Sequence, residues 1–249
     1  MVARAAAAIA VSLAAAVAVA QDPGSTGRLS SARQLVVVTT ADWSATSGTL
    51  RRFERRRDSD AWTAVGAAVP IVVGRTGLAL GVGFESADPT GPAKREGDGK
   101  APAGVFPLDT AFGFAPRSES RGVRLPYVQL TANTDCVDDS ASAHYNTVVD
   151  KQRVRRIDWT SAEHMRAVAQ YERGVIVGYN ARHPARGRGS CIFLHIWSGP
   201  GSSTVGCTAL DASELRTVVE WLDPRRKPVL VQLPSSVYER LRPRWALPG

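Results

Sequence analysis

A histidine inside an apolar run, with a cysteine behind a glycine twelve residues later, stands out as the pair whose types and spacing could do chemistry. The run is Cys191-Ile192-Phe193-Leu194-His195-Ile196-Trp197, and Ser203-Thr204-Val205-Gly206-Cys207 follows it, in a chain with four His and three Cys. A thiolate is a far better nucleophile than a thiol, and a neighbouring imidazole is the usual means of generating one. Twelve residues allow a strand, a loop and a return. His195 would then sit on a strand and Cys207 at a sharp turn whose N–H groups, around Gly206, could hold an oxyanion. Each residue also has a plainer role, His195 as a satisfied core residue and Cys207 as a small buried hydrophobe.

The elements that must position this pair read as mainly β. Gln34–Thr40 is a β-branched strand, and Thr49–Arg55, Trp62–Val65 and Pro70–Arg75 follow as separate ones. Residues 77–83 are glycine-dense and read as a bend, and residues 88–102, with Pro89, Gly91, Pro92, Gly97 and Gly99, as a long exposed loop that strand Gly104–Leu108 leaves. Val175–Tyr179 and Ile192–Trp197 read as central strands and Pro228–Leu233 as the last one. Two helices are expected. One runs from Ser161 to about Tyr171, with Thr160 as N-cap and Glu163 closing a capping box. The other opens at Asp211, carries Leu215, Val218, Val219 and Leu222 at helical spacing, and stops before Pro224.

A second polar group is Asp135-Cys136-Val137-Asp138-Asp139 with His144-Tyr145-Asn146. Two acids and one sequence-near histidine are weak grounds for a metal site, and none is expected. Asp138 or Asp139 could instead meet the amine of a peptide substrate, and Tyr145 and Asn146 could line a groove, unless the stretch is only a loop held by Asx turns. His144, His164 and His183 stand in polar or helical settings and read as surface residues.

The segment from about Gln34 to Pro234 resembles the catalytic domain of the L,D-transpeptidases, cysteine enzymes that cross-link bacterial peptidoglycan. That family carries a strand His followed by a Ser/Thr-x-Gly-Cys turn, matched by His195 and Thr204-Val205-Gly206-Cys207. It also carries a Gly-Lys-x-Pro-x-Gly-x-Phe-Pro-Leu stretch, matched by Gly99–Leu108, and divergent branches share the Cys-x-Asp-Asp…Tyr-Asn stretch. Val205 stands where many members have His, and Ala209 where many have Asn or Arg, and the His–Cys spacing is shorter than usual. These departures leave nucleophile and base in place and bear on substrate contacts and acceptor choice.

The resemblance implies an L,D-transpeptidase-like β-sandwich with a few short helices, occupying residues 33–249. It implies acyl transfer on peptidoglycan stem peptides, with Cys207 as nucleophile, His195 as base and Gly206 at the oxyanion turn. Thr204, Ser203, Trp197, Tyr145, Asn146 and Asp139 are expected to meet substrate, and no cofactor is called for. With water as acceptor the same site would be an L,D-carboxypeptidase. A non-catalytic wall-binding module of the same fold is the alternative from another class. A papain-type peptidase would place Cys before His, and a serine hydrolase would need a G-x-S-x-G elbow that the chain lacks.

Arg4, the apolar run Ala5–Ala20 and its Ala18-Val19-Ala20 end read as a signal peptide (1–20), with a retained anchor as the alternative, and residues 21–32 as a flexible leader. The mature protein is then exported, to the periplasm or cell wall or beyond, with no stable membrane insertion. The chain carries a net charge of +8, one less without Arg4, with arginine-rich runs at 51–57 and 182–188. A basic surface favours polyanions, which outside a cell are anionic wall polymers and not nucleic acid, unless the runs are only solvated surface. Three cysteines allow three pairings, and Cys136–Cys191 is the one that leaves Cys207 free, as a catalytic role requires.

Overall fold

The computed structural model describes residues 25–84 and 90–249. The expected signal peptide, residues 21–24 of the leader and residues 85–89 lie outside them. No helix among the described residues is long and apolar enough to cross a membrane.

The protein is mainly β, with three short helices. Its strands are β1 (Gln34–Thr40), β2 (Ser47–Glu54), β3 (Thr63–Val72), β4 (Leu78–Leu80), β5 (Ala101–Pro107), β6 (Thr110–Gly113) and β7 (Tyr127–Gln129). There follow β8 (Thr134–Val137), β9 (Val148–Asp150), β10 (Ala162–His164), β11 (Arg173–Ile176), β12 (Phe193–Ile196), β13 (Thr208–Leu210) and β14 (Val229–Pro234). The helices are α1 (Ser25–Ser31), α2 (Ala212–Trp221) and α3 (Ser235–Trp245). Eleven strands form one mixed sheet in the order β4-β5-β14-β1-β2-β3-β13-β12-β11-β6-β7, and β10-β8-β9 form a small second sheet.

β1 sits deep in the large sheet, parallel to β14 and antiparallel to β2. Its unbroken valines suit a strand buried on both faces. The sheet curls, because strands seven places apart in its order meet. Gly178 N–H, just beyond β11, donates to the Pro107 carbonyl of β5 at 2.9 Å, and the Phe106 and Tyr179 rings pack edge to face at 5.5 Å. α2 lays Leu215, Val218 and Val219 on this core, and α3 adds Val237, Tyr238, Leu241 and Trp245. Each such buried side chain contributes about 1.5–3 kcal/mol. As expected, Asp211 caps α2, its carboxylate accepting from Ser213 N–H at 2.8 Å.

Several expectations are corrected. Residues 25–31 of the leader form α1, which buries Leu29 and is followed by fully buried Ala32. The Arg55 guanidinium holds the end of this helix by donating to the carbonyls of Leu29, Ser30 and Ala32. The two strands expected over 62–75 are one strand, β3, with a register shift where Gly66 takes φ +70°. The bend at 77–83 contains β4, paired with β5.

The helix expected over 161–171 is absent. Ala162–His164 is instead β10, paired with β8, and two 3-10 turns carry the chain to Glu172. The expected cap fails because the Thr160 N–H and hydroxyl both donate to Asp139 Oδ2 at 2.8 Å, so Thr160 caps nothing. Pairing across the small sheet overrides the local helical signal.

Two ties bind the small sheet to the strand that carries His195. Cys136 of β8 and Cys191, just before β12, form a disulfide, with S–S 2.09 Å and Cα–Cα 5.9 Å. Asn146 supplies the second tie, accepting Cys191 N–H on its side-chain oxygen at 2.9 Å.

Candidate functional site

β12 and β13 run side by side in parallel, with Leu194 level with Thr208 and His195 level with Ala209. Cys207 therefore stands at the entrance of β13, beside Phe193, whose N–H donates to the Cys207 sulfur at 3.3 Å. His195 projects from the next strand, and both residues line one cleft of about 340 Å³. Cys207 is the single free cysteine of the chain.

The turn before Cys207 is held by Thr204. Its hydroxyl donates to the Cys207 carbonyl at 2.6 Å and accepts Gly206 N–H at 3.2 Å. Gly206 has φ +155°, and a Cβ there would come within 3.1 Å of the Lys100 carbonyl. The Gly99–Leu108 stretch thus reaches the site through its backbone, which crowds any side chain at position 206.

His195 Nδ1 lies 2.8 Å from the Ile196 carbonyl, so Nδ1 carries the hydrogen and Nε2 is left as the base. Burial lowers the imidazole pKa to about 4, against the small opposing effect of that carbonyl. Burial also pushes the Cys207 thiol well up, assisted by the Glu163 carboxylate, while the Phe193 N–H and Tyr171 act the other way. The resting pair is a neutral imidazole and a thiol. The thiol hydrogen is directed at the Cys191 carbonyl, 3.5 Å away.

Four acidic or basic side chains border the same cleft: Lys94, Glu96, Asp138 and Glu163. Lys94 is 3% exposed and donates to Asp98 and to the Arg95 carbonyl, both at 2.6 Å. Glu96 accepts from the Tyr145 hydroxyl and from Ser190. Asp138 Oδ1 is buried without a hydrogen-bond partner among the described residues. Burial raises the Glu163 carboxyl to about 7, against the opposing bond from the Tyr171 hydroxyl at 2.6 Å and with help from Asp138 and Glu96.

Of the residues singled out in the sequence, Cys207, His195, Gly206, Thr204 and Ser203 line the cleft. Trp197, Tyr145, Asn146 and Asp139 do not border it. Trp197 is half-buried beyond β12, its backbone N–H donating to the Leu210 carbonyl. Tyr145 is buried and donates its hydroxyl to Glu96 at the edge of the site. The Asn146 amide donates to the carbonyls of Tyr179 and Asn180. Asp139 accepts from Ala141 and Thr160, which hold its carboxyl below the usual range. That is the Asx-type loop weighed for this stretch.

Sequence reasoning missed Glu163 and Tyr171. Tyr171 packs its ring edge to face on His195 at 5.1 Å, and its hydroxyl lies within hydrogen-bonding reach of Cys207. No spacing could show this, because the expected helix would have set Glu163 and Tyr171 eight residues apart along one rod.

The arrangement offers a buried thiol and a neutral imidazole with one oriented nitrogen, both lining one cleft. No family model, curated protein or solved structure matches this chain.

Proposed function

We propose that this protein is an exported cysteine acyltransferase that cross-links peptidoglycan stem peptides by L,D-transpeptidation, on an L,D-transpeptidase-like β-sandwich. The observation that carries the reading is that Cys207, the one free thiol, and an oriented His195 line a single cleft. The resemblance of two separate segments, Gly99–Leu108 and His195–Cys207, supplies the substrate class.

His195 Nε2 takes the Cys207 proton as the sulfur attacks the carbonyl before the terminal D-Ala of a stem tetrapeptide. A base with a pKa of about 4 does not hold a preformed ion pair with a thiol, so proton transfer accompanies the attack. The Gly206 N–H is engaged by Thr204, which leaves the Cys207 N–H to meet the oxyanion. The tetrahedral intermediate collapses by breaking the C–N bond, the imidazolium gives its proton to the departing amine, and a thioester remains on Cys207. His195 then accepts a proton from the amine of a neighbouring stem as that amine attacks, and the thiol is restored.

The test is intact mass of the mature protein after incubation with a disaccharide-tetrapeptide or a carbapenem, beside Cys207→Ala. A covalent adduct that vanishes in the variant is the expected result. Cross-linked product indicates transfer, and shortened tripeptide indicates hydrolysis at the same cysteine. A folded protein with a free thiol and no adduct would overturn the catalytic reading in favour of a wall-binding module.

A further inference from the structure

Glu163 and Tyr171 enter the cleft without a part in the acyl-transfer scheme. Tyr171 has one hydroxyl hydrogen and two neighbours that compete over it. That hydrogen goes to Glu163 Oε2 at 2.6 Å, while the Cys207 sulfur lies within reach of the same hydroxyl. The ring cannot swing away. It is wedged edge to face between Phe112 at 5.7 Å, Phe193 at 5.3 Å and His195 at 5.1 Å.

Counting donors gives two arrangements. An ionised Glu163 only accepts, so it takes the Tyr171 hydrogen and leaves the phenol nothing to donate to the sulfur, whose own hydrogen is directed at the Cys191 carbonyl. A protonated Glu163 donates to the phenol oxygen, and the phenol hydrogen turns to the sulfur. A hydrogen bond to a thiolate is charge-assisted and favours it over the thiol.

We propose that Tyr171 is a positioning residue for the Cys207 nucleophile and that protonation of Glu163 decides whether Tyr171 donates to the thiolate. The inference rests on Cys207 being the nucleophile of the proposed reaction and adds what sets its reactivity.

The surroundings of Glu163 agree with such a switch. Asp138, beyond β8, and Glu96, in the 90–100 loop, face it with negative charge. Lys94 acts on Cys207 with positive charge and is engaged by Asp98. His164, next to Glu163 on β10, points to the other face and bonds Asp135, which also pairs with Lys151. His195 touches Tyr171 and stays neutral above a pH of about 4. Burial and its two acidic neighbours place the Glu163 titration at about 7, where small changes in pH move it.

The test is the alkylation rate of Cys207 by iodoacetamide, followed by intact mass on the mature protein between about pH 5.5 and 9. In the wild type the logarithm of the rate should climb with pH up to about 7 and flatten above it as Glu163 ionises. Glu163→Gln keeps a donor to Tyr171 at every pH, so its profile should climb without a break and exceed the wild type about tenfold at pH 8.5. Tyr171→Phe should alkylate about tenfold more slowly than the wild type at pH 6 and show no break. A wild-type profile without the break, a break that survives in Glu163→Gln, or a Tyr171→Phe rate equal to the wild type would each overturn the proposal. If Tyr171→Phe fails to fold, the near-isosteric Glu163→Gln still decides it. Iodoacetamide needs no peptide, so a break without any acyl adduct would refute the acyltransferase reading while still showing that Glu163 and Tyr171 set the reactivity of the Cys207 thiol.

Discussion

Asn146 accepts the Cys191 N–H at 2.9 Å while its amide donates to the carbonyls of Tyr179 at 2.9 Å and Asn180 at 2.8 Å. One side chain thus ties the loop after β8 to the segment that delivers His195. Asn146 also has φ +60°, a conformation asparagine tolerates better than most residues.

Asn146→Ala should therefore cost about 3 kcal/mol, from unsatisfied backbone groups and left-handed strain together. Asn146→Gly relieves the strain alone and should recover about 1 kcal/mol of that loss. Urea midpoints of the three proteins check both numbers. Equal midpoints for wild type and Asn146→Ala would show that the tie carries no stability.

The disulfide beside it closes a loop across a sequence separation of 55 residues. Chain-entropy reasoning assigns such a crosslink about 4 kcal/mol. The double variant Cys136→Ser/Cys191→Ser should lose about that much in urea unfolding and keep a single thiol titre. The proposed acyl adduct should weaken as well, because the wall bearing Glu163 and Asp138 would then be fastened to β12 by the Asn146 tie alone.

How much of this was legible in the residues depends on where the signal was local. β1 falls on its expected bounds because a run of valines has no competing reading, and Asp211 announced α2 through its cap. That Cys207, His195 and the Thr-x-Gly-Cys turn share one cleft was legible because they lie within thirteen consecutive positions. β3 was split because small exposed residues between Thr63 and Val69 give no alternation to read. α3 was hidden by Pro243 inside it and by its many charges. The acidic wall was illegible for a different reason. Glu163 sits in a segment that reads as helix and becomes a strand only through pairing with β8, while Lys94 and Glu96 lie in a loop that reads as exposed.

The pH dependence of stability should show two opposed contributions. His195 has a folded pKa of about 4, below its ordinary 6.5, so the unfolded chain binds its proton more readily. Its contribution is fully present above about pH 6.5 and is lost as pH falls through 4, a change of about 3 kcal/mol. Glu163 has a folded pKa of about 7, above its ordinary 4.5, so the folded chain binds the proton more readily. Its contribution is present below 4.5 and is lost as pH rises through 7, again by about 3 kcal/mol. The two nearly cancel between pH 5 and 6. Glu163→Gln should leave a stability that climbs from pH 4 to 6.5, and His195→Gln one that falls from pH 4.5 to 7. Urea midpoints across that range, with unchanged slopes in either variant, would contradict the assignments.

Val205 separates stability from recognition. It is 65% exposed, yet it lines the cleft next to the Gly206-Cys207 turn, so its methyl groups add little to the core. Val205→Ser should leave the urea midpoint within about 0.5 kcal/mol of the wild type. A substrate seated against Cys207 would cover those methyls, and losing about two of them from a contact costs about 1.5 kcal/mol, near tenfold in rate. The expected result is a drop of about tenfold in kcat/KM for the donor peptide, carried by KM, because an apolar contact that takes no part in the bond changes binds ground state and transition state alike. An unchanged KM would mean that the substrate approaches Cys207 along the acidic wall of Glu163 and Asp138 and leaves the Val205 rim in water.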